Sequence, residues 1–289
     1  MLWEGRRESS NVDDRRGISG GSVLAGGGIL GVIALVLNLL LGGDTSQLPQ
    51  SIPMSGGSGR EMSAQETAAD DKRASFVKVV LADTEDIWGQ IFKENGSEYT
   101  DPTLVLFRDA VQSGCGGASA SSGPFYCPAD QKLYIDLSFY EEMQNRFNAP
   151  GDFAMAYVVA HEVGHHVQYL MGTSAKMQRL RSQLNETEYN RYSVMLELQA
   201  DFYAGIWANR ERNLKGADQR SVIEPGDIEE ALNAANAIGD DRLQREAQGR
   251  VVPDAFTHGT SAQRMYWFKK GYQTGDIRQG DTFSDPSLR

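Results

Sequence analysis

The run Val23 to Leu41 (VLAGGGILGVIALVLNLLL) carries no charge and a single polar side chain, Asn38. As a helix rising 1.5 Å per residue, it covers roughly 28 Å, close to the ~30 Å hydrocarbon core of a bilayer. Glycines at 26–28 and 31 suit a membrane helix, where they let neighbouring helices approach. A soluble buried helix is the competing interpretation, but the run has no polar face. It therefore divides the chain into an N-terminal stub (1–22), a transmembrane anchor (23–43), a flexible linker (44–73) and one domain (74–289). The linker is rich in Gly, Ser and Pro and lacks the large apolar residues needed to fold.

Arg6, Arg7, Arg15 and Arg16 precede the apolar run, and the next basic residue is Arg60. Positive-inside bias then predicts a cytoplasmic N-terminus and an extracytoplasmic domain in a single-pass protein. A cleaved signal peptide would need a shorter apolar stretch and a small-x-small cleavage site. Here Leu-rich sequence runs into Gly42-Gly43-Asp44, which favours an uncleaved anchor.

The formal net charge is −11 over 289 residues. Residues 1–16 hold four Arg and four acids, so the whole acidic excess lies beyond them. Such a balance argues against nucleic acid as a partner, which would call for a basic face. A mean hydropathy of −0.43 excludes a polytopic membrane protein. Two cysteines cannot build a Cys₄ zinc site or an iron–sulfur cluster, so any metal must rely on His and carboxylates. Cys115 and Cys127 flank a Gly/Ser-rich loop, and outside the cytoplasm a disulfide between them is the natural expectation. Closing so short a loop contributes about 2–3 kcal/mol in the chain-entropy view. Two independent buried thiols are the alternative.

Hydrophobic periodicity predicts an α+β domain, mostly helical, with a small sheet. Phe76, Val80, Ile87 and Ile91 mark a first helix ending near Asn95-Gly96, and 103–107 and 132–137 are short β-type runs. Further helices are expected over 138–147, 152–171, 174–185, 188–212, 227–238 and 261–273.

Three of the four histidines fall within six residues, in His161-Glu162-Val163-Gly164-His165-His166. At this chain's own composition, an H-E-x-x-H would arise by chance in about 0.003 of such sequences. Ala156, Ala160, Val163, Val167 and Leu170 form an apolar stripe, so the motif sits within a packed helix. His161 and His165 then project from one face and can both reach a zinc ion at roughly 2.0–2.1 Å. Glu162, rotated about 100° from His161, stands beside the metal as a general base. The bland alternative is a hydrogen-bonded core cluster. His166 falls off the ligand face and is expected to be structural.

A catalytic zinc needs a third protein ligand and an open position for water. Glu197, in an apolar helical run, is the candidate, because an unpaired carboxylate is costly to bury there. Asp201, one turn later, is placed to accept a hydrogen bond from a ligand His. A solvent-exposed Glu/Asp pair is the alternative for these two. His258 and Arg264 flank an expected N-cap at Thr260. Either could stabilise an oxyanion, or both could simply fasten the C-terminal helix.

The opening MLWEGRRESSNVDDRRG, the anchor, GPFYCPADQKLYIDLSFY, HEVGHHVQ, ELQAD and HGTSAQRMYWFKKGYQTGD together resemble the neutral zinc metallopeptidase family, bacterial single-pass membrane proteins with an extracytoplasmic catalytic domain. The His161–His165, Glu197–Asp201 and His258–Arg264 elements are also similar, more weakly, to membrane metallopeptidases that process prenylated or misfolded proteins. The resemblance implies a zincin-like, gluzincin-type fold with one Zn²⁺ on His161, His165 and Glu197, and Glu162 as base. It implies a location in the bacterial inner membrane with the domain in the periplasm, and Lys132–Leu137 as an edge strand for substrate. Related sequences often carry two further cysteines where this chain has Phe202 and Gly280, which removes a second disulfide.

The expected function is therefore a membrane-anchored zinc endopeptidase acting on a peptide or protein. The rival is a membrane-tethered binding or chaperone-like protein with structural zinc, which would need a fourth protein ligand from His166 or His258.

Overall fold

A computed structural model describes residues 1–17, 62–216 and 220–288. The apolar run Val23–Leu41 and most of the expected linker lie outside these residues, and among those described no helix is long and apolar enough to cross a membrane.

The architecture is α+β and mostly helical, with a small sheet, as the periodicity predicts. Strand β1 (Val12–Asp14) is followed by the long helix α1 (Ala64–Glu94). Next come β2 (Thr103–Phe107), the hairpin β3 (Ala110–Ser113) and β4 (Gly116–Ser119), then β5 (Phe125–Cys127) and β6 (Lys132–Asp136). Helices α2 (Phe139–Asn145), α3 (Asp152–Leu170), α4 (Thr173–Arg181), α5 (Glu186–Glu211), α6 (Asp227–Ala237), α7 (Asp240–Gln248) and α8 (Ser261–Thr274) complete the order.

The four-stranded sheet runs β1-β2-β6-β5, parallel except for β5, which is antiparallel to β6. Strand β6 is thus interior, and β5 is the edge nearest α3. This corrects the expectation that Lys132–Leu137 forms the edge. Both faces of β2 and β6 are buried, which explains why they read as continuous apolar runs rather than alternating ones. Leu104, Leu106, Leu133 and Ile135 face the helices, while Val105, Phe107 and Tyr134 pack with Val111 and Cys127 beneath the hairpin. Cys115 and Cys127 form a disulfide, S–S 2.04 Å, tying that hairpin to β5.

Helix α1 begins at Ala64, ten residues inside the expected linker. Ser63 and Glu66 form a capping box, and the polar run behind them is built from good helix formers. Within this first part Asp70 is buried and paired with both Arg16 and Arg108. The partners come from distant sequence, so the local composition alone reads as tether.

Residues 1–17 also depart from expectation, because they belong to the fold and are not a separate stub. Strand β1 pairs with β2 in the register Val12↔Leu104 to Asp14↔Leu106. Trp3 packs edge-on against Phe76 at 5.4 Å between centroids. Arg6 reaches two buried carboxylates, Asp83 at 2.7 Å and Glu211 at 2.9 Å. A three-residue strand after a polar, Arg-rich opening carries too little periodicity to be recognised from sequence.

Helices α3, α5 and α8 form the centre of the molecule and meet at glycines. A Cβ on Gly164 of α3 would lie 3.0 Å from the Ala200 carbonyl oxygen on α5. Cβ atoms on Gly205 of α5 and Gly271 of α8 would fall about 2 Å from the backbone of the opposite helix, at Phe268 O (2.1 Å) and Phe202 O (2.0 Å). Only glycine permits the crossings at 205 and 271, and at 164 a larger residue would push the helices apart. Phe202 also covers Gly280, where a Cβ would meet the ring at 2.5 Å. Phe202 and Gly280, the places where the family resemblance implies a second cysteine pair, are thus neighbours in space, and an aromatic contact stands there.

Asp83 and Glu211 share one arginine, and burial raises both carboxyls above their ordinary range, Asp83 to about 9. Their oxygens Asp83 Oδ2 and Glu211 Oε2 are buried with no other partner, an arrangement that calls for a shared proton. The folded state therefore holds a proton that the unfolded chain has lost by neutral pH. The contribution of this pair to stability should be fully present below the ordinary carboxylate range and fall as pH rises toward 9, by up to about 1.4 kcal/mol per pH unit. Asp83→Asn should flatten that slope in urea titrations at pH 6, 7.5 and 9; an unchanged slope would show that the pair is not the source.

Candidate metal centre

Helix α3 is buried at every position from Phe153 to Gly164, so its position is set on all sides by packing. From it, His161 and His165 project one turn apart, with ring centroids 4.8 Å apart. Glu197 meets them from α5: its Oε2 is 3.1 Å from His161 Nε2, and its Oε1 is 3.4 Å from His165 Nε2. One donor atom from each of the three residues lies within 4.8 Å of the others. The Gly164–Ala200 crossing sets this separation, since Ala200 lies one turn beyond Glu197 and just before Asp201.

The opposite ring nitrogens are anchored. His161 Nδ1–H donates to Asp201 Oδ1 at 2.8 Å, and His165 Nδ1–H donates to Gln168 Oε1 at 2.8 Å. These bonds fix the ring orientations and turn both Nε2 atoms toward Glu197. Gln168 is held in turn, donating to the Leu196 carbonyl at 2.7 Å. Asp201, fully buried, accepts from four donors: His161, Tyr157 Oη at 2.5 Å, and Arg264 through Nε at 2.8 Å and Nη2 at 3.0 Å.

Electrostatics follow from these contacts. Burial would favour a neutral His161, but Asp201 and Glu197 outweigh it and lift the ring to about 10. Burial opposes ionisation of Glu197, yet His165, His258 and His161 hold it well below the usual carboxylate range. Arg264 and His161 likewise overcome burial at Asp201 and bring it to about 2. The carboxylates thus draw positive charge into the pocket, here as protons on the rings, which a divalent cation bound at the Nε2 atoms would displace. Two neutral imidazoles and one carboxylate are also the donor set of catalytic zinc sites, so the residues fit the metal.

Glu162 is buried beside this cluster, and burial pushes its carboxyl above the ordinary range against the pull of His161 and His165. The Tyr126 backbone at the sheet edge adds a smaller downward pull on the same carboxyl. His166 is turned away from the cluster: Nε2–H donates to Thr100 O at 2.6 Å, and Nδ1 accepts from Tyr126 Oη at 3.0 Å. It is a structural tie between α3 and β5.

His258 stands on the loop before α8. Asp240 organises that loop, its Oδ2 accepting backbone N–H bonds from Thr257, His258 and Gly259 at 2.7, 2.6 and 3.0 Å. Asp240 Oδ1 also meets His258 Nδ1 at 3.2 Å. Burial opposes protonation of His258, but Glu197 and Asp240 outweigh it and raise the ring above its ordinary value. Arg264 sits behind His161, on the Asp201 side, and so supports the site without facing the Nε2 atoms.

Tyr157, Gln168 and Asp240 were not singled out from sequence. Tyr157 lies four residues before His161 and Gln168 three after His165, so helical spacing offers a signal for both. Asp240, 18 residues before His258, offers none.

Two histidines from α3 and a carboxylate from α5 form a group that could hold a metal ion, with the buried Glu162 alongside. The chain belongs to the family described as "Putative neutral zinc metallopeptidase", which matches residues 1–283. It is similar to the uncharacterized protein YpfJ of Escherichia coli K12, 49% identical over 98% of this chain and 99% of that protein. The uncharacterized protein Rv2575 of Mycobacterium tuberculosis H37Rv is 40% identical over 88% of this chain and 86% of its own length. No solved structure matches the chain.

Asp201→Asn should leave Arg264 buried without its counter-charge and His161 without its anchor. The expected result is a loss of about 3–5 kcal/mol in stability. Zinc affinity should weaken about 10–100-fold, measured by competition with a chromophoric chelator on the folded fraction. Wild-type affinity in the folded variant would exclude Asp201 as the orienting group.

Proposed function

We propose that the chain is a zinc-dependent endopeptidase, with His161, His165 and Glu197 holding the metal and Glu162 as general base. The observation that carries this reading is the convergence of the two Nε2 atoms on Glu197 while both Nδ1 atoms are tied from behind. Zinc, when bound, supplies the Lewis acidity that polarises a scissile carbonyl and acidifies water. Glu162 takes the proton from the attacking water on its carboxylate and delivers it to the leaving amine. Burial favours this role by raising the Glu162 carboxyl above its ordinary range.

His258 supplies a positive charge near Glu197 and would meet the oxyanion as it develops, with Asp240 holding its ring. Strand β5 borders α3 and pairs with β6 on one side, which suits an extended peptide adding to its other side. The rival structural zinc site would need a fourth protein ligand. His166 is committed to Thr100 and Tyr126, and the clustered donors among the described residues number three here. That favours an open coordination position and hydrolysis.

The disulfide supports an oxidising, extracytoplasmic compartment for the domain, the periplasm in a bacterial cell. The run Val23–Leu41 supports attachment to the inner membrane. The acidic balance supports a peptide or protein as partner in place of nucleic acid.

Glu162→Gln should abolish cleavage of casein or a peptide library, with kcat down about 10²–10⁴-fold. Zinc content should stay at one per chain. Full zinc occupancy with no cleavage by the wild type would sink the enzyme reading.

A further inference from the structure

We infer that residues 1–17 and 62–288 lie on one side of any lipid bilayer that Val23–Leu41 enters, so that run does not separate the N-terminus from the domain by a single crossing. Three observations converge on this. First, β1 is an integral strand: it pairs in parallel with β2, and Arg15 N–H donates to the Leu106 carbonyl at 2.7 Å. A hydrogen-bonded ladder cannot form across a bilayer.

Second, all four arginines of the positive-inside argument are committed within the fold. Arg6 pairs with Asp83 and Glu211, and Arg7 with Glu85 and Asp86. Arg15 pairs with Asp13, and Arg16 with Asp14, Asp70 and Asp71. Their sequence position beside the apolar run is thus accounted for by ion pairing, several members of which are buried. Removing the segment would strand Asp83 and Glu211 without their shared cation, a costly state for buried carboxylates.

Third, the two described ends flanking the apolar run share one face. Arg16 Nη1 lies 2.6 Å from Asp70 and 3.1 Å from Asp71 on the first turns of α1. Ser63 caps that helix seven residues before Asp70, roughly 10 Å along its axis. The chain therefore leaves and rejoins the domain at the same place. The occupant of that face is a lipid surface, because the intervening run is uncharged and long enough to bury in hydrocarbon.

Single cysteines at two exposed carboxylates, Glu4→Cys and Glu246→Cys, test this in the full chain; both side chains are more than half exposed and neither touches the metal centre. A membrane-impermeant maleimide is applied to spheroplasts before and after detergent lysis, with the wild type as blank. We expect both positions to label in intact spheroplasts. Protection of both until lysis would keep the same-side inference while moving the domain to the cytoplasmic face, against the compartment proposed above. Labelling of one and protection of the other overturns the inference. The lipid occupant is tested separately: the full chain should sediment with membranes, and a chain lacking 23–41 should be soluble with an unchanged melting temperature. A full chain found wholly in the soluble fraction overturns it. None of these readouts depends on peptidase activity.

Discussion

The buried carboxylate of Asp201 is the interaction on which the rest of the structure depends. It lies on α5 and is held by α3 through Tyr157 and His161 and by α8 through Arg264. An isolated charge at that depth would be very costly, and here each oxygen receives charge-assisted hydrogen bonds instead. The same contacts fix where three helices stand relative to one another. The glycines at 164, 205 and 271 let those helices approach closely enough for the short side-chain reach of an aspartate to suffice. Fold and site are therefore set by one network: what aligns α3 against α5 also aligns His161 and His165 against Glu197.

How much of this was legible in sequence depended on how local the cause is. The H-E-x-x-H spacing, the apolar stripe behind it and the i, i+4 relation of Glu197 to Asp201 are consequences of helical geometry, and the structure brings these side chains together. The Thr260 cap of α8 is equally local. Strand β1, the hairpin β3–β4 and the first turns of α1 were not legible, because their causes are distant. Arg16 makes Asp70 acceptable inside a helix, and β2 makes a strand of Val12–Asp14. Polar residues paired across 54 positions look like linker until the partner is known. The family resemblance implies an edge at Lys132–Leu137, but β5, only three residues long, pairs outside β6 and makes it interior.

Charge counting shows the same limit. The first 16 residues balance to zero, which is consistent with a detached, solvated stub. In the fold that balance is not internal to the segment: Arg6 and Arg7 take carboxylates from α1 and α5, while Glu4 and Glu8 reach Lys72 and Ser75. A rule that assigns arginines to a compartment assumes they are free to face it. When they are ion-paired inside a domain, they report on the domain and lose their value as topology signals.

The division of labour between Glu197 and Asp201 has a chemical consequence. Both carboxylates come from one face of α5, yet only Glu197 faces the Nε2 atoms. Asp201 is compensated by Arg264, whose guanidinium forks onto both of its oxygens. A divalent ion held by His161, His165 and Glu197 would therefore see one uncompensated negative ligand and keep a net positive charge. That charge is what polarises a carbonyl and acidifies water. Without Arg264, Asp201 would add a second negative charge through the His161 ring and weaken the Lewis acidity of the same metal. The arginine thus acts on the site from behind, by keeping Asp201 an anchor for His161 while cancelling its field.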